Sequence, residues 1–209
     1  MKERIINTDQ DVEEGLSHLT SSCPRMAQAQ SRTGPLPLRR RPDGFSQLLS
    51  AIVSQQVSVA AARAIWAKMQ AARLTGPRKV SWASEEDLRG AGLSRQKVRY
   101  AKALAEARID YKALREAPTE EVVKTLTKVP GIGVWTAEIY AMFSLGRADV
   151  FAPGDLALQE AARLLYDLPD RPREKDLREM ATAWSPWRSV AARQLWAYYH
   201  VVKDREGIK

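Results

Sequence analysis

The chain has 209 residues, a length that suits one sizeable hydrophobic core or two small ones. Apolar residues make up 44% and charged residues 28%, a globular balance that excludes a disordered or fibrous chain. Lysine and arginine outnumber aspartate and glutamate by 33 to 25, giving a net charge of +8. This excess favours an anionic partner such as nucleic acid or acidic lipid, with a solvated cationic face as the alternative.

The positive charge is concentrated in the first half of the chain. Between Pro24 and Ser84 the only acidic residue is Asp43. The basic residues of this stretch are Arg25, Arg32, Arg39, Arg40, Arg41, Arg63, Lys68, Arg73, Arg78 and Lys79.

A single cysteine, Cys23, excludes an internal disulfide and an iron–sulfur cluster, because both need several thiolates. No apolar run reaches the roughly 18 residues of a membrane span, and the N-terminus lacks the pattern of a signal peptide. We therefore expect a protein of the reducing cell interior, cytoplasmic and associated with the nucleoid, or nuclear in a eukaryote.

In chain order, apolar residues recur at three- and four-residue steps, which predicts an all-α fold. We expect a first helix over 11–21, an extended and partly mobile loop over 23–42, and a buried helix from Phe45. Two amides, Gln55 and Gln56, interrupt the apolar sequence before the next helix begins.

Later helix starts are marked by capping residues. Ser84, Ser94 and Thr119 each begin a helix, and another runs from about 172 to 184. Pro186 suits the first turn of a long last helix.

The most informative stretch is a helix, a tight Pro-Gly-Ile-Gly turn at 130–133 and a second helix over 134–144. Two glycines one residue apart allow positive φ and close backbone approach, and the turn opens onto a helix N-terminus. The N–H groups there can hold a phosphate oxygen without reading sequence. Ile132 between the glycines is expected to plug into the two helices.

Asp155 follows this hairpin after a short loop and begins the next helix. Its local role is an N-cap, and a second role as a reactive carboxylate can coexist with the first.

Together these features resemble the helix-hairpin-helix (HhH-GPD) DNA glycosylase superfamily. The similarity extends from about Phe45 to Tyr199 and is greatest to the 3-methyladenine DNA glycosylase II group, in a compact form without the N-terminal β-rich domain. Three segments carry it: Ser-Gln-Gln-Val-Ser at 54–58, Gly-Ile-Gly-Val-Trp-Thr-Ala at 131–137 and Trp-Ser-Pro-Trp-Arg-Ser at 184–189.

The resemblance implies a two-lobed helical fold with the active-site cleft between the lobes. Residues 45–115 and 116–150 mostly form the middle lobe, with the helix-hairpin-helix at 119–144. Residues 1–44 and 151–209 form the second lobe. The implied partner is double-stranded DNA containing damaged bases. The protein is expected to act as a monomer and not to bind a membrane.

The resemblance also assigns the site residues. Asp155 is the catalytic carboxylate, because base release builds positive charge on the deoxyribose that a carboxylate stabilises. Trp135 and Trp196 form the base pocket, with burial in the core as the alternative for each. Gln56 is the wedge that fills the gap left by the flipped base, whereas Gln55 caps backbone groups.

The hairpin contacts follow in the same way. Gly131, Gly133 and Val134 bind a DNA phosphate. The backbone carbonyls of Thr127, Val129 and Ile132 hold a monovalent cation, and no other cofactor is required. Arg188 anchors the last helix by a buried ion pair, with a direct role in the site as the alternative.

The residue at position 135 indicates whether the reaction includes strand cleavage. Strand-cutting members of the family carry there a lysine that forms a Schiff base with the sugar, and this chain has tryptophan. The resemblance therefore implies a monofunctional hydrolase that excises alkylated purines of the 3-methyladenine and 7-methylguanine type. Two alternatives stay open, namely the same enzyme acting on deaminated or mismatched bases, and a non-catalytic DNA-binding module.

Overall fold

The computed structural model describes residues 3–205, with side chains as far as residue 203. Within that range the protein is helical, and its one β-type contact is an isolated antiparallel bridge between Ile5 and Arg147. The all-α prediction is confirmed. None of the described helices combines the length and the apolar character that crossing a bilayer requires.

The chain divides into two compact units. The middle unit comprises residues 41–140, and the terminal unit comprises the described residues up to Arg40 and from Ala141 onward. The sequence interpretation placed 141–150 with the middle lobe, whereas these residues cluster with the terminal segments. The boundary falls within α10 (Val134–Phe143), whose last residues, from Ala141, belong to the terminal unit.

The terminal unit is built around the last helix. Its helices are α1 (Asp9–Ser22), α2 (Pro24–Thr33), α11 (Leu156–Leu165), α12 (Glu174–Met180), a 3-10 turn (Ala181–Trp184) and α13 (Arg188–Arg205). Helix α13 packs against α1, α2 and α11. Gly15 permits α1 to pack closely against Trp187 and the start of α13, because a Cβ at this position would lie only 2.6 Å from the Trp187 ring.

Two predictions for this unit are wrong. Residues 24–33 form α2 and not a loop, since Pro24 stands at the first turn, where its missing N–H costs nothing, and Met26 and Ala29 are buried. Pro186 lies two residues before α13 and not in its first turn, because it belongs to the short connection between the 3-10 turn, which ends at Trp184, and the helix, which begins at Arg188.

The middle unit contains seven complete helices within 41–140. They are α3 (Phe45–Ser54), α4 (Val59–Ala71), α5 (Pro77–Trp82), α6 (Glu85–Gly90), α7 (Arg95–Glu106), α8 (Tyr111–Glu116) and α9 (Thr119–Leu126). Helix α7 packs against α3, α5 and α6. The predicted starts at Ser84, Ser94 and Thr119 are confirmed, with both serines accepting a backbone N–H three residues on.

The six-residue helices α5 and α8 were not predicted. Each is under two turns long, too short for a helical period to appear, and each presents one buried apolar side chain, Val80 or Leu114.

Candidate active site and hairpin

Asp155 is the N-cap of α11, as the sequence predicts. Its backbone is extended, and its Oδ1 atom accepts the N–H groups of Ala157 and Leu158 at 2.9 and 3.1 Å. These two bonds satisfy donors that the first turn of a helix cannot pair internally, so they fix the carboxylate against the start of α11.

Trp196 of α13 supplies a third donor to the same atom. Its indole Nε1 lies 3.2 Å from Asp155 Oδ1. The side chain is half-buried, and its ring lies against Phe143 with centroids 5.8 Å apart and planes tilted by 31°. Asp155 and Trp196, both predicted as site residues, are therefore brought together in the terminal unit.

A buried arginine lies behind this pair. The Arg193 guanidinium stacks over Phe143, 4.8 Å from the ring centroid, and donates to the Leu38 carbonyl and to the carbonyl and hydroxyl of Ser189. Burial, with a smaller effect of nearby arginine charges, lowers the pKa of Arg193 to about 10. It therefore stays protonated at neutral pH, and its bonds to Leu38 and Ser189 fix the guanidinium over the Phe143 ring.

The start of α13 is held by the predicted ion pair of Arg188. Its guanidinium donates to both oxygens of Asp149 at 2.7 and 3.0 Å, and the Ser185 hydroxyl donates to the same carboxylate at 2.8 Å. Partial burial opposes ionisation of Asp149, but the hydrogen bonds and charge of Arg188 and the Ser185 bond outweigh it, so the pKa of Asp149 is lowered.

In the middle unit, residues 127–133 form the turn between α9 and α10. Ile132 and Val129 are buried, and the Ile132 N–H donates to the Val129 carbonyl at 3.0 Å. The expected burial of Ile132 is confirmed, and its contact with both helices stays a prediction.

The two glycines of the turn differ, and the expectation of positive φ holds for one of them. Gly131 has a φ of +91°, and a Cβ there would lie 2.4 Å from the Tyr100 ring. Gly133 lies outside the left-handed region, and a Cβ there would meet no atom of the protein within 4 Å. The fold requires a glycine at 131, whereas at 133 the open side faces away from the protein.

The two glutamines after α3 have separate roles. Gln55 donates from Nε2 to the Gly131 carbonyl at 2.8 Å, so the prediction that it caps a backbone group is confirmed. Gln56 is exposed and has a φ of +55°. A non-glycine residue in this region is uncommon and stores strain of the kind that concentrates at functional sites.

A cavity of about 570 Å³ opens beside the hairpin; we call it the hairpin cavity. It is bounded by the Gln55–Val57 segment, the start of α7 and the turn at 127–133, with Thr127, Val129 and Ile132 all in its wall. Lys97 also lines it and donates from Nζ to the Val53 carbonyl at 2.7 Å. Burial lowers the pKa of this amine.

Val134 and Trp135 occupy the first turn of α10, where they are 45% and 46% exposed. The alternative that Trp135 is a core residue is therefore wrong. Its indole presents an aromatic surface at the start of the helix.

The HhH-GPD superfamily of base excision DNA repair proteins matches residues 49–188, two thirds of the chain. The chain belongs to this superfamily. The matched range includes the hairpin and Asp155.

Named relatives of this HhH-GPD protein are similar along most of their length. It is 29% identical over 204 residues to DNA-3-methyladenine glycosylase 1 of Schizosaccharomyces pombe, covering 93% of this chain and 90% of the relative. A crystal structure of DNA-3-methyladenine glycosidase from Bacillus halodurans superposes with a TM-score of 0.83 at 33% identity, covering 98% and 95% of the two chains. The Schizosaccharomyces pombe 3-methyladenine DNA glycosylase Mag1, solved in complex with abasic DNA, gives a TM-score of 0.75 at 27% identity, covering 88% and 95%.

The hairpin of this HhH-GPD protein suits the monovalent cation that the resemblance implies. Thr127 is the C-cap of α9, where the last carbonyl oxygens of a helix carry negative partial charge. The Val129 carbonyl accepts one hydrogen bond and has a second lone pair, and the three residues predicted to supply carbonyl ligands all line the hairpin cavity.

Sequence reasoning missed Arg193, Phe143 and Lys97. Arg193 had a visible signal, since it is the only charged residue from Val190 to Trp196, a stretch that is otherwise apolar apart from Gln194. Phe143 and Lys97 had none, because their roles depend on partners from other helices.

Proposed function

We propose that the protein is a monofunctional DNA glycosylase that flips alkylated purines out of duplex DNA and releases them by hydrolysis. The observation that carries the proposal is the Asp155 carboxylate at the start of α11, bonded to the Trp196 indole, in a chain of a base excision repair superfamily. The names of its relatives as 3-methyladenine glycosylases support the choice of substrate.

Asp155 acts on the sugar. As the base leaves, positive charge develops on the deoxyribose, and the nearby carboxylate stabilises it and orients or deprotonates the attacking water. Three N–H donors on Oδ1 hold the carboxylate in place before the reaction, so little reorganisation is needed. An alkylated purine already carries positive charge, so its departure requires no dedicated general acid.

The base is recognised by aromatic surfaces. Trp135 is exposed on α10 and Trp196 is half-buried beside the carboxylate, and we assign both to the base pocket. A cationic base over an indole face gains about 0.5–2 kcal/mol, which favours N-alkylated purines without a precise hydrogen-bond code.

The middle unit holds the duplex. In this proposal the backbone at Gly131, Gly133 and Val134 binds a phosphate, and Gln56 enters the gap left by the flipped nucleotide. The carbonyls of Thr127, Val129 and Ile132 would hold a monovalent cation, which supplies positive charge to the phosphate oxygens when bound.

The absence of strand cleavage is part of the proposal. A lyase step needs an amine that attacks the sugar, and position 135, where strand-cutting members carry lysine, is tryptophan. Type II character, monomeric action and a cytoplasmic or nuclear location belong to the same proposal and rest on the sequence.

The test is base release from a duplex with alkylated purines, scored for strand breaks before and after alkali. Wild type should release free base with breaks only after alkali, and Asp155→Asn should bind the duplex but release none. Asp170→Asn, the same change at an exposed position, is the matched control and should act as wild type.

Three other outcomes would each change the proposal. Near-normal release by Asp155→Asn would remove Asp155 from the reaction. Breaks before alkali would indicate a lyase. Tight binding without release would point to hypoxanthine or mismatched substrates, or to a binding module.

A further inference from the structure

The loop that carries Gln56 adjoins a second cavity of the middle unit. This pocket, of about 220 Å³, is lined by Ser50 and Ser54 of α3, Val57 of the loop, and Val59, Arg63 and Trp66 of α4. We call it the α3–α4 pocket. Val57 also lines the hairpin cavity, so the two cavities meet at this residue.

The pocket follows from helix register. Ser50 and Ser54 lie one turn apart on α3, and Val59, Arg63 and Trp66 form a single stripe on α4, which packs against α3. Of the 13 residues of α4 only Met69 is buried, and Val59 is 68% exposed. A stripe of two large apolar side chains and an arginine, left uncovered beside a strained loop, indicates a binding surface and not a core.

The chemistry of the walls fits a nucleotide. Trp66 offers a half-buried aromatic surface for a base, and Arg63 offers an exposed guanidinium for a phosphate or a base face. The surrounding sequence has a single acidic residue between Pro24 and Ser84. The volume is below the about 300–1,000 Å³ of drug-sized ligand sites, which suits a single base.

We propose that the α3–α4 pocket binds the nucleotide of the complementary strand that stands opposite the lesion. The proposal rests on the proposed function, because it needs Gln56 to enter the duplex. A wedge at Gln56 separates the two partners of one base pair. With the damaged strand held at the hairpin cavity, the orphaned partner meets the adjoining surface at Val57, where Trp66 and the Arg63 guanidinium both stack on its base.

The experiment measures binding to two duplexes that share a tetrahydrofuran abasic analogue at the lesion position. One has an ordinary nucleotide opposite the analogue, and the other has a second abasic site there. No catalysis is involved, so the result is separate from the base-release test. Wild type should bind the first duplex about tenfold more tightly than the second, as expected for one stacked base.

The variants locate the effect. Arg63→Ala and Trp66→Ala should lose most of the tenfold preference, and Trp66→Phe should keep most of it, because the ring still stacks. Lys68→Ala is the matched control, since Lys68 is exposed on α4 outside both cavities and should weaken both duplexes equally. Circular dichroism shows whether each variant is folded. If Trp66→Ala unfolds, Arg63→Ala still tests the pocket, because the Arg63 side chain is exposed and its removal should not affect folding.

Two results would overturn the proposal. One is a wild-type protein that binds both duplexes alike. The other is an Arg63→Ala variant that, like Lys68→Ala, weakens both equally, since that indicates general attraction to DNA. A photoreactive base opposite the lesion should crosslink to α4 peptides, and crosslinks confined to 127–133 would also contradict the pocket.

Discussion

Replacing Trp196 with phenylalanine separates two roles of its side chain. Trp196 can stack on the flipped base, and its indole N–H also holds Asp155 Oδ1 at 3.2 Å. Phenylalanine keeps an aromatic surface against Phe143 but removes the donor. The capping bonds from Ala157 and Leu158 remain, so the carboxylate stays at the start of α11 but loses the hydrogen bond from the indole.

The magnitude follows from the geometry of that bond. A hydrogen bond to a charged acceptor contributes about 1.5–3 kcal/mol, and a distance of 3.2 Å favours the lower figure. About 1.4 kcal/mol in the barrier is tenfold in rate. We therefore expect Trp196→Phe to lower the single-turnover rate of base release about tenfold, with little change in DNA affinity.

The assay measures single-turnover release of 7-methylguanine at increasing enzyme concentrations. The rate at saturating enzyme reports the reaction, and the enzyme concentration that gives half this rate reports binding. Trp196→Ala removes both ring and donor, so it should lower the rate and weaken binding of damaged DNA. If Trp196→Phe stayed within twofold of the wild-type rate, the bond to Asp155 would contribute nothing to the reaction and the reasoning would be refuted.

The remaining predictions concern the hairpin and stability. Gly133→Ala should stay folded and should bind damaged and undamaged duplexes more weakly, by the same factor for both. Gly131→Ala should instead lower the melting temperature, because Gly131 has a φ of +91° and a Cβ there would clash with Tyr100. Equal melting temperatures of the two variants would contradict this. Asp149→Asn should cost about 1.5–3 kcal/mol of unfolding free energy at pH 7. Because the pKa of Asp149 in the folded state is lowered from its ordinary value of 3.8, this difference is fully present above about pH 3.8 and is lost as the pH falls through the lowered pKa. A difference that persisted at still lower pH would exclude the ion pair with Arg188 as its source.

Much of the hairpin could be predicted because its determinants are local. A Pro-Gly-Ile-Gly turn between two apolar helical patterns requires no distant partner, and Asp155 shows its capping role within three residues of sequence. Even so, the sequence could not distinguish the two glycines. The need for Gly131 comes from the Tyr100 ring on α7, about 30 positions earlier in the chain.

Features that depend on distant contacts were missed or wrong. Only Met26 and Ala29 of the 10 residues of helix α2 are buried, most of the others are polar, and prolines follow the helix. The local pattern therefore favoured a loop. Packing on α13 overrides that preference. Arg193 was missed because its position over Phe143 depends on the packing of α13.

Asp155 combines a structural and a proposed catalytic role in one carboxylate, and the chemistry of capping allows the two to be separated. Asparagine caps a helix about as well as aspartate, because its side-chain oxygen accepts the same N–H groups, so Asp155→Asn keeps the bonds from Ala157 and Leu158. It removes only the negative charge, whose interaction with the helix dipole contributes about 0.3–1 kcal/mol. A change in stability of this size leaves the protein folded. If Asp155→Asn nevertheless lost base release, the loss would have to come from the missing charge beside the sugar. Asp155→Ala, which removes charge and cap together, would leave that question open.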